Sequence, residues 1–128
     1  MKTFVFLFPI VLFMLQGCAS MPKEADLKES LRSSAEEYWK LRMEDKYEAT
    51  YAMEYSSGLP PFLNYRDNAM RIKKFQVRSV SIGEIKIEGA KGMVDVKFSV
   101  IMPPVPKPFD QTLQEEWIFD NKWWHIFR

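Results

Sequence analysis

The period of the hydrophobic pattern changes once along this chain, near Lys74, and that change limits the folds it can adopt. Before this point, apolar residues recur at spacings of three and four, as on one face of a helix. After it, apolar and polar residues alternate, as in strands with one buried face. Helices that precede strands without interleaving favour an α+β fold over an α/β fold. We therefore expect N-terminal helices packed against a four-stranded antiparallel sheet.

The helical half predicts two helices and one further turn. A first helix is predicted for residues 26–43 and a second for residues 45–56, which Gly58 and the prolines after it would end. One more short helical turn is expected in residues 62–72. The stripe of the first helix consists of Leu27, Leu31, Ala35, Tyr38 and Leu41, and that of the second of Tyr47, Tyr51 and Tyr55.

The first predicted strand, residues 75–87, cannot be straight. The parity of its apolar residues switches twice, near Arg78–Ser79 and near Gly83–Glu84, so a regular strand could not bury them all on one face. Bulges at those two places, or a bend at Gly83, would bring them together. We therefore expect this strand to be irregular.

Three more strands are predicted after a glycine-containing turn. Residues 94–102 alternate cleanly, residues 109–119 form the next strand, and residues 123–127 form the last. A tight turn at Asp120-Asn121-Lys122 joins the last two. The order of the segments therefore predicts an antiparallel meander.

The N-terminal segment has the pattern of a secretory signal peptide. Lys2 precedes an uncharged run from Phe4 to Leu15, which Pro9 interrupts and which is too short to span a bilayer. The run ends in "LQGC", which contains the only cysteine, Cys18. An unpaired cysteine in an exported protein needs an explanation. The alternatives are a buried structural cysteine, an uncleaved anchor or a modified residue.

"LQGC" resembles the lipobox of bacterial lipoproteins. The resemblance implies cleavage after Gly17 and lipidation of Cys18, with acyl chains such as palmitate as a stable membrane anchor. Ala19 follows instead of aspartate, which in lipoproteins of enteric-type bacteria implies the outer membrane, facing the periplasm. The predicted organisation is a lipoprotein signal peptide at 1–17, a lipidated tether at 18–25 and one domain at 26–128.

Charge excludes nucleic acid as a partner. The chain has 18 basic and 17 acidic residues, and removal of Lys2 with the signal peptide leaves 17 of each. No strong positive field remains to attract a phosphate backbone. The one basic concentration, "RIKKFQVR" at residues 71–78, is either a solvated face or a contact for anionic lipid or lipopolysaccharide phosphate.

Three segments resemble the nuclear transport factor 2-like (NTF2-like, or cystatin-like) superfamily: "AEEYWKLRMEDKYEATYAM", "FQVRSVSIGEIKIEGAKGMVDVKFSV" and "EEWIFDNKWWHIF". The last resembles a common family ending, with Asn121 where glycine is usual; asparagine also tolerates positive φ. The resemblance covers roughly residues 25–128. It implies a strongly curved sheet wrapped around the first helix, forming a cone with a pocket. Members include isomerases, dehydratases, transport adaptors and small lipoproteins, so fold alone does not select a function.

Catalytic candidates are few. Glu115 shares one strand face with Leu113, Trp117 and Phe119, so an acid in an apolar surround could act as a general base if that face points inward. Asp45 is a second candidate. The lone histidine, His125, has no sequence-local partner and is expected to be structural. No metal site and no cofactor are predicted.

Aromatic residues are the other candidates, either for a pocket or for an interface. They are Trp39, Tyr51, Trp117, Trp123 and Trp124. Because neighbouring residues of a strand face opposite ways, one of Trp123 and Trp124 should lie on the outer face and could mark a contact surface.

The sequence favours a non-enzymatic, membrane-anchored binding or assembly module of the bacterial cell envelope. Its partner would be an envelope protein, a second copy in a homodimer, or a small apolar ligand. The alternative is a small-molecule isomerase or lyase with Glu115 or Asp45 as its base.

Overall fold

The computed structural model describes residues 22–72 and 75–128. The predicted signal peptide, the lipidation site at Cys18 and most of the predicted tether lie outside these residues. Within the described ranges, no helix has both the length and the apolar character needed to cross a membrane.

The first helix, α1, runs from Glu24 to Met43 and confirms the prediction for residues 26–43. Acidic residues occupy its first turn and basic residues its last, which complements the helix dipole. The helix ends just before Asp45, whose φ of 61° is incompatible with its continuation.

The second helix, α2, spans only Tyr47–Tyr51, so the prediction of a helix over residues 45–56 was wrong in length. The residues after it bond to the last strand instead. Glu54 forms an isolated parallel bridge with His125, the amide of Tyr55 donates to the carbonyl of His125, and the amide of His125 donates to the carbonyl of Met53. These tertiary hydrogen bonds replace the helical ones.

The third helix, α3, spans Phe62–Arg71 and is longer than the single turn that the sequence predicts. Pro61 is its N-cap, with a φ of −54°, and the amide of Tyr65 bonds to its carbonyl. Tyr65 and Ala69, four residues apart, are its buried residues. The helix therefore presents one narrow face to the core.

The four strands form the predicted antiparallel meander, in the spatial order β1-β2-β3-β4. They are β1 Gln76–Glu88, β2 Lys91–Ile101, β3 Phe109–Asp120 and β4 Lys122–His125. The turn between β3 and β4 places Asn121 at a φ of 60°, a conformation that asparagine accepts.

Strand β1 contains both of the predicted irregularities. The register with β2 shifts between Val77 and Ser79 and again between Ile82 and Ile85. At the second shift the Arg32 guanidinium of α1 donates to the carbonyls of Ile82 and Gly83, at 3.2 and 3.1 Å. Bulges bend a strand and increase its twist, so β1 can curve around α1.

The core lies between α1 and the inner face of the sheet. Gly92 of β2 permits the closest approach, because a Cβ atom there would overlap the side chain of Leu31 and press on Trp123. The core residues are Leu27, Leu31, Ala35, Tyr38 and Trp39 of α1 together with Ile85, Val94, Val96, Trp117 and Trp123 of the sheet.

Candidate functional site

The most polar part of the interior is a buried cluster in which His125 lies between two glutamates. Its Nδ1 is 2.7 Å from Oε2 of Glu54, and its Nε2 is 2.9 Å from Oε2 of Glu115. All three residues are buried. Glu54 follows α2, Glu115 lies on β3 and His125 ends β4, so the cluster joins the helical half of the fold to the sheet.

The geometry of the cluster favours a protonated histidine. A neutral imidazole has one N–H group, so its second nitrogen would direct a lone pair at a carboxylate. An imidazolium donates to both glutamates. Burial lowers the pKa of His125, but the hydrogen bonds and charges of Glu115 and Glu54 outweigh that effect and raise the pKa to about 9.

Two tyrosines extend the cluster toward α1 and α3. The hydroxyl of Tyr38 donates to Oε1 of Glu54 at 2.6 Å, and its ring stacks on the His125 ring with centroids 4.3 Å apart. Tyr65 has one hydroxyl proton, with Oε1 of Glu54 and Oγ1 of Thr50 both 2.9 Å away. Burial, reinforced by Glu54 and opposed by Arg42, raises the pKa of Tyr38 well above its ordinary value. This phenol therefore remains protonated.

Arg42 supplies the second positive charge. Its Nη1 donates to the hydroxyls of Tyr38 and Tyr65, at 3.1 and 3.4 Å. Its guanidinium carbon lies 5.5 to 5.8 Å from the ring centres of Tyr38, Trp39 and Tyr65. Burial lowers the pKa of Arg42, but the two phenols and Glu54 raise it by more. With His125 protonated, Arg42 and His125 balance Glu54 and Glu115.

Trp39 separates this cluster from a cleft at the C-terminal end of α1. Its Nε1 donates to Oε1 of Glu115 at 2.9 Å, and its ring lines the cleft. Both oxygens of Glu115 therefore already accept hydrogen bonds, one from Trp39 and one from His125. Glu115 does not line the cleft.

We call this opening the apolar cleft, with a volume of about 380 Å³. It lies between the end of α1, Ile72 and the inner face of β1, β2 and β3. Four of its lining residues are large apolar side chains that remain exposed: Leu113 (49%), Phe75 (45%), Met102 (40%) and Ile72 (37%). Its less exposed lining is also apolar: Trp39, Val77, Phe98, Val100 and Phe109. Two exposed polar residues of β3, Gln111 and Thr112, complete the lining.

A second opening, which we call the Arg42 pocket, adjoins the apolar cleft and has a volume of about 260 Å³. The two have Trp39, Ile72, Phe75 and Val77 in common. Polar residues line the other side of the Arg42 pocket, namely Arg42, Asp45, Tyr47 and Gln76. The combined opening is therefore apolar at one end and polar at the other.

The two catalytic candidates from the sequence lie in different environments. Glu115 and Trp117 lie on the same face of β3, and both are buried. Leu113 also lies on this face, but it is exposed at the cleft. Asp45 is exposed, lines the Arg42 pocket and accepts a hydrogen bond from the Tyr47 hydroxyl at 3.0 Å. The structure does not bring them into one site.

Of the five aromatic candidates, Trp39 alone lines the apolar cleft. Trp117 is fully buried, and Trp123 is buried with its Nε1 donating to Oγ of Ser30 at 3.0 Å. Tyr51 packs between α2 and α3, where its hydroxyl donates to the carbonyl of Pro60 at 2.9 Å. Trp124 faces outward, as one of the two neighbours had to, with the Lys122 ammonium 4.1 Å from its ring centre.

Sequence reasoning missed Glu54, Tyr65 and Arg42. Glu54 is 71 residues from His125, and no local spacing connects them. Arg42 occurs among several charged residues near the end of α1, so its sequence context does not distinguish it. Its position three residues after Trp39, on the same side of a helix, was the only available signal. Residues 22–72 and 75–128 contain no cluster of three potential ligands arranged for a metal ion.

Comparison with a solved structure supports this architecture. A candidate NTF2-like transpeptidase from Campylobacter jejuni superposes with a TM-score of 0.53, covering 75% of this chain and 96% of its own, at 14% identity. A chain from a series of de novo designed proteins with diverse pocket structures covers 77% of this chain and 98% of its own, at 22% identity and a TM-score of 0.49. No protein-family model matches the sequence, and no curated protein does.

The chain therefore has an NTF2-like fold, as the sequence resemblance implied. At these identities the likeness establishes the architecture alone. It is compatible with a binding domain that has a pocket at the open end of its sheet.

Proposed function

We propose that this protein is a lipid-anchored binding module of the bacterial cell envelope that holds a small apolar ligand in the apolar cleft. The observation that carries the proposal is the cleft itself. Its volume of about 380 Å³ is within the range of roughly 300–1,000 Å³ that small-molecule sites occupy. Four exposed apolar side chains line this concave surface, and a ligand that covered them would remove their apolar surface from water.

Binding is favoured over catalysis because the best-placed acid is already engaged. Glu115 accepts hydrogen bonds from Trp39 and His125 and lies behind the Trp39 ring. A general base must come within hydrogen-bond reach of a substrate proton. Asp45 is accessible to a substrate. Its carboxylate is exposed to water, however, and lies at the polar end of the opening, away from the apolar lining that would raise its basicity.

The membrane anchor rests on the sequence. "LQGC" at residues 15–18 resembles a lipobox, and α1 begins at Glu24, a few residues after Cys18. The 20 residues of α1 span roughly 30 Å at 1.5 Å per residue. The tether would join the N-terminal end of α1, whereas the cleft lies at its C-terminal end. An anchored chain would thus hold the cleft well away from its acyl chains.

The binding proposal is tested with residues 22–128, which contain the whole described core. The fluorescent probe 1-N-phenylnaphthylamine should brighten when it enters the cleft. Leu113→Glu should weaken its binding at least tenfold, because a charge would replace an exposed apolar lining residue. Trp124→Ala, on the outer face of the sheet, is the matched control and should bind normally. Absence of probe binding, or equal binding by Leu113→Glu, would contradict the proposal.

The anchor is tested separately in the full chain. Labelled palmitate should be incorporated into the protein in bacterial cells, and the protein should sediment with the outer membrane. Cys18→Ser should abolish both properties. Palmitate incorporation by the Cys18→Ser chain would refute lipidation at this residue.

A further inference from the structure

We propose that the ligand is an amphiphilic monocarboxylate, with its apolar chain in the apolar cleft and its carboxylate bound by Arg42. This inference rests on the proposed function and specifies the class of ligand. It comes from the two adjoining openings, one apolar and one containing a guanidinium, which have four lining residues in common.

Arg42 has donors available for such a group. Both hydrogen bonds that it makes within the described part of the chain come from Nη1. The Nε and Nη2 edge of a guanidinium matches the two oxygens of a carboxylate, which gives two parallel, charge-assisted hydrogen bonds. The guanidinium is held in place by three aromatic rings, so little side-chain freedom would be lost on binding.

The charges around the Arg42 pocket are close to balanced, so the preference for an anion comes from the unused donors of Arg42 and not from net charge. Across residues 22–72 and 75–128, Arg42 forms no ion pair with a carboxylate; it reaches Glu54 only through the hydroxyls of Tyr38 and Tyr65.

Asp45 is the opposing charge in the same pocket. Its Oδ1 accepts the hydrogen bond of Tyr47, and it lies on the exposed side. It should weaken the binding of a carboxylate without preventing it, since repulsion between exposed charges is screened by water.

The test compares octanoate with 1-octanol, which have chains of the same length but a charged and an uncharged head. Displacement of 1-N-phenylnaphthylamine from residues 22–128 measures both affinities. Octanoate should bind at least tenfold more tightly than 1-octanol, as expected for a charged hydrogen-bonded pair. Each added methylene in a longer carboxylate should tighten binding about fourfold.

Two variants locate the head group. Arg42→Gln should remove the preference for octanoate over 1-octanol, with folding checked by circular dichroism. If Arg42→Gln does not fold, Arg42→Lys decides: it keeps the positive charge but loses the paired donors, so it should weaken octanoate binding severalfold and leave 1-octanol unchanged. An unchanged affinity for octanoate in folded Arg42→Lys would then overturn the inference.

The outcomes separate this inference from the function on which it rests. If 1-octanol binds as tightly as octanoate to the unaltered chain, Arg42 does not receive a carboxylate, although the cleft still binds apolar ligands. If octyl phosphate binds more tightly than octanoate, the head group is a phosphate and the carboxylate is wrong. If neither the probe nor either octyl compound binds, the proposed function fails as well.

Discussion

The protonated state of His125 makes the stability of this fold depend on pH in an unusual direction. The perturbation is a rise in pH from about 6 to about 9.5. The pKa of His125 is about 9 in the folded protein, against 6.5 for an ordinary histidine. A group whose pKa is raised by folding binds its proton more tightly in the folded state. Its contribution is therefore complete below about pH 6.5 and is lost as the pH rises through about 9.

The size of the effect follows from the same two pKa values. A difference of about 2.5 units, at about 1.4 kcal/mol per unit, gives about 3 kcal/mol of stability to be lost. This is a large part of the roughly 5–15 kcal/mol that stabilises a typical domain. The structural reason is that deprotonated His125 leaves two buried glutamates opposed by Arg42 alone.

Urea unfolding of residues 22–128, followed by tryptophan fluorescence at intervals of pH, measures this dependence. The matched control is the double variant Glu54→Gln, Glu115→Gln, in which both carboxylates that raise the pKa of His125 are neutral. Its curve should lose the decline between about pH 6.5 and about pH 9. The range stops short of about pH 10, where unfolded tyrosines ionise. A free energy of unfolding that stays constant or rises across this window in the unaltered domain would refute the reasoning.

Three further predictions concern the packing of the fold and are checked by the same unfolding measurement. Gly92→Ala should lower the free energy of unfolding by about 1–3 kcal/mol, because the added methyl group overlaps the buried side chain of Leu31; an unchanged value would mean that α1 can shift. Arg32→Met should cost about 1–2 kcal/mol, since it leaves two carbonyls of the β1 bulge without their donor. Lys28→Ala removes only the exposed pair with Glu24 and should cost less than about 0.5 kcal/mol, which makes it the control. Trp124→Ala should change the free energy of unfolding by less than about 1 kcal/mol, because this ring is partly exposed on the outer face.

The sequence predicted the sheet more accurately than the helices, for a physical reason. Along β1 the apolar residues change twice from odd to even positions or back, and each change marks a place where the strand must be irregular to keep them facing inward. Both irregularities were therefore located correctly. Helix limits depend on groups outside the helix. The segment 52–56 has a helical pattern, but the backbone of Met53 and Tyr55 bonds to His125, which no local pattern in that segment reveals.

The buried cluster could not be predicted for the same reason. Glu115 stood out because its neighbours on β3 are apolar, whereas Glu54 occurs in a segment of mixed polarity that resembles a solvated helix. Glu54 and Glu115 are connected through His125 of β4, which lies between them. The apolar cleft was likewise implied only by the family resemblance, since its lining comes from α1, the end of α3 and three strands.

The position of His125 has a consequence for how the chain becomes folded during its synthesis. Glu54 and Glu115 are both made before the strand that brings their shared cation. An incomplete chain that lacks residues 122–128 would have to bury two carboxylates beside Arg42 alone, which is strongly unfavourable. Packing of the helices against the first three strands is therefore weakly stabilised before β4 is present. We expect the domain to fold only after the last strand has been made. If the protein is exported to the cell envelope, as its proposed function requires, such a delay would keep the chain unfolded until its last residues are made.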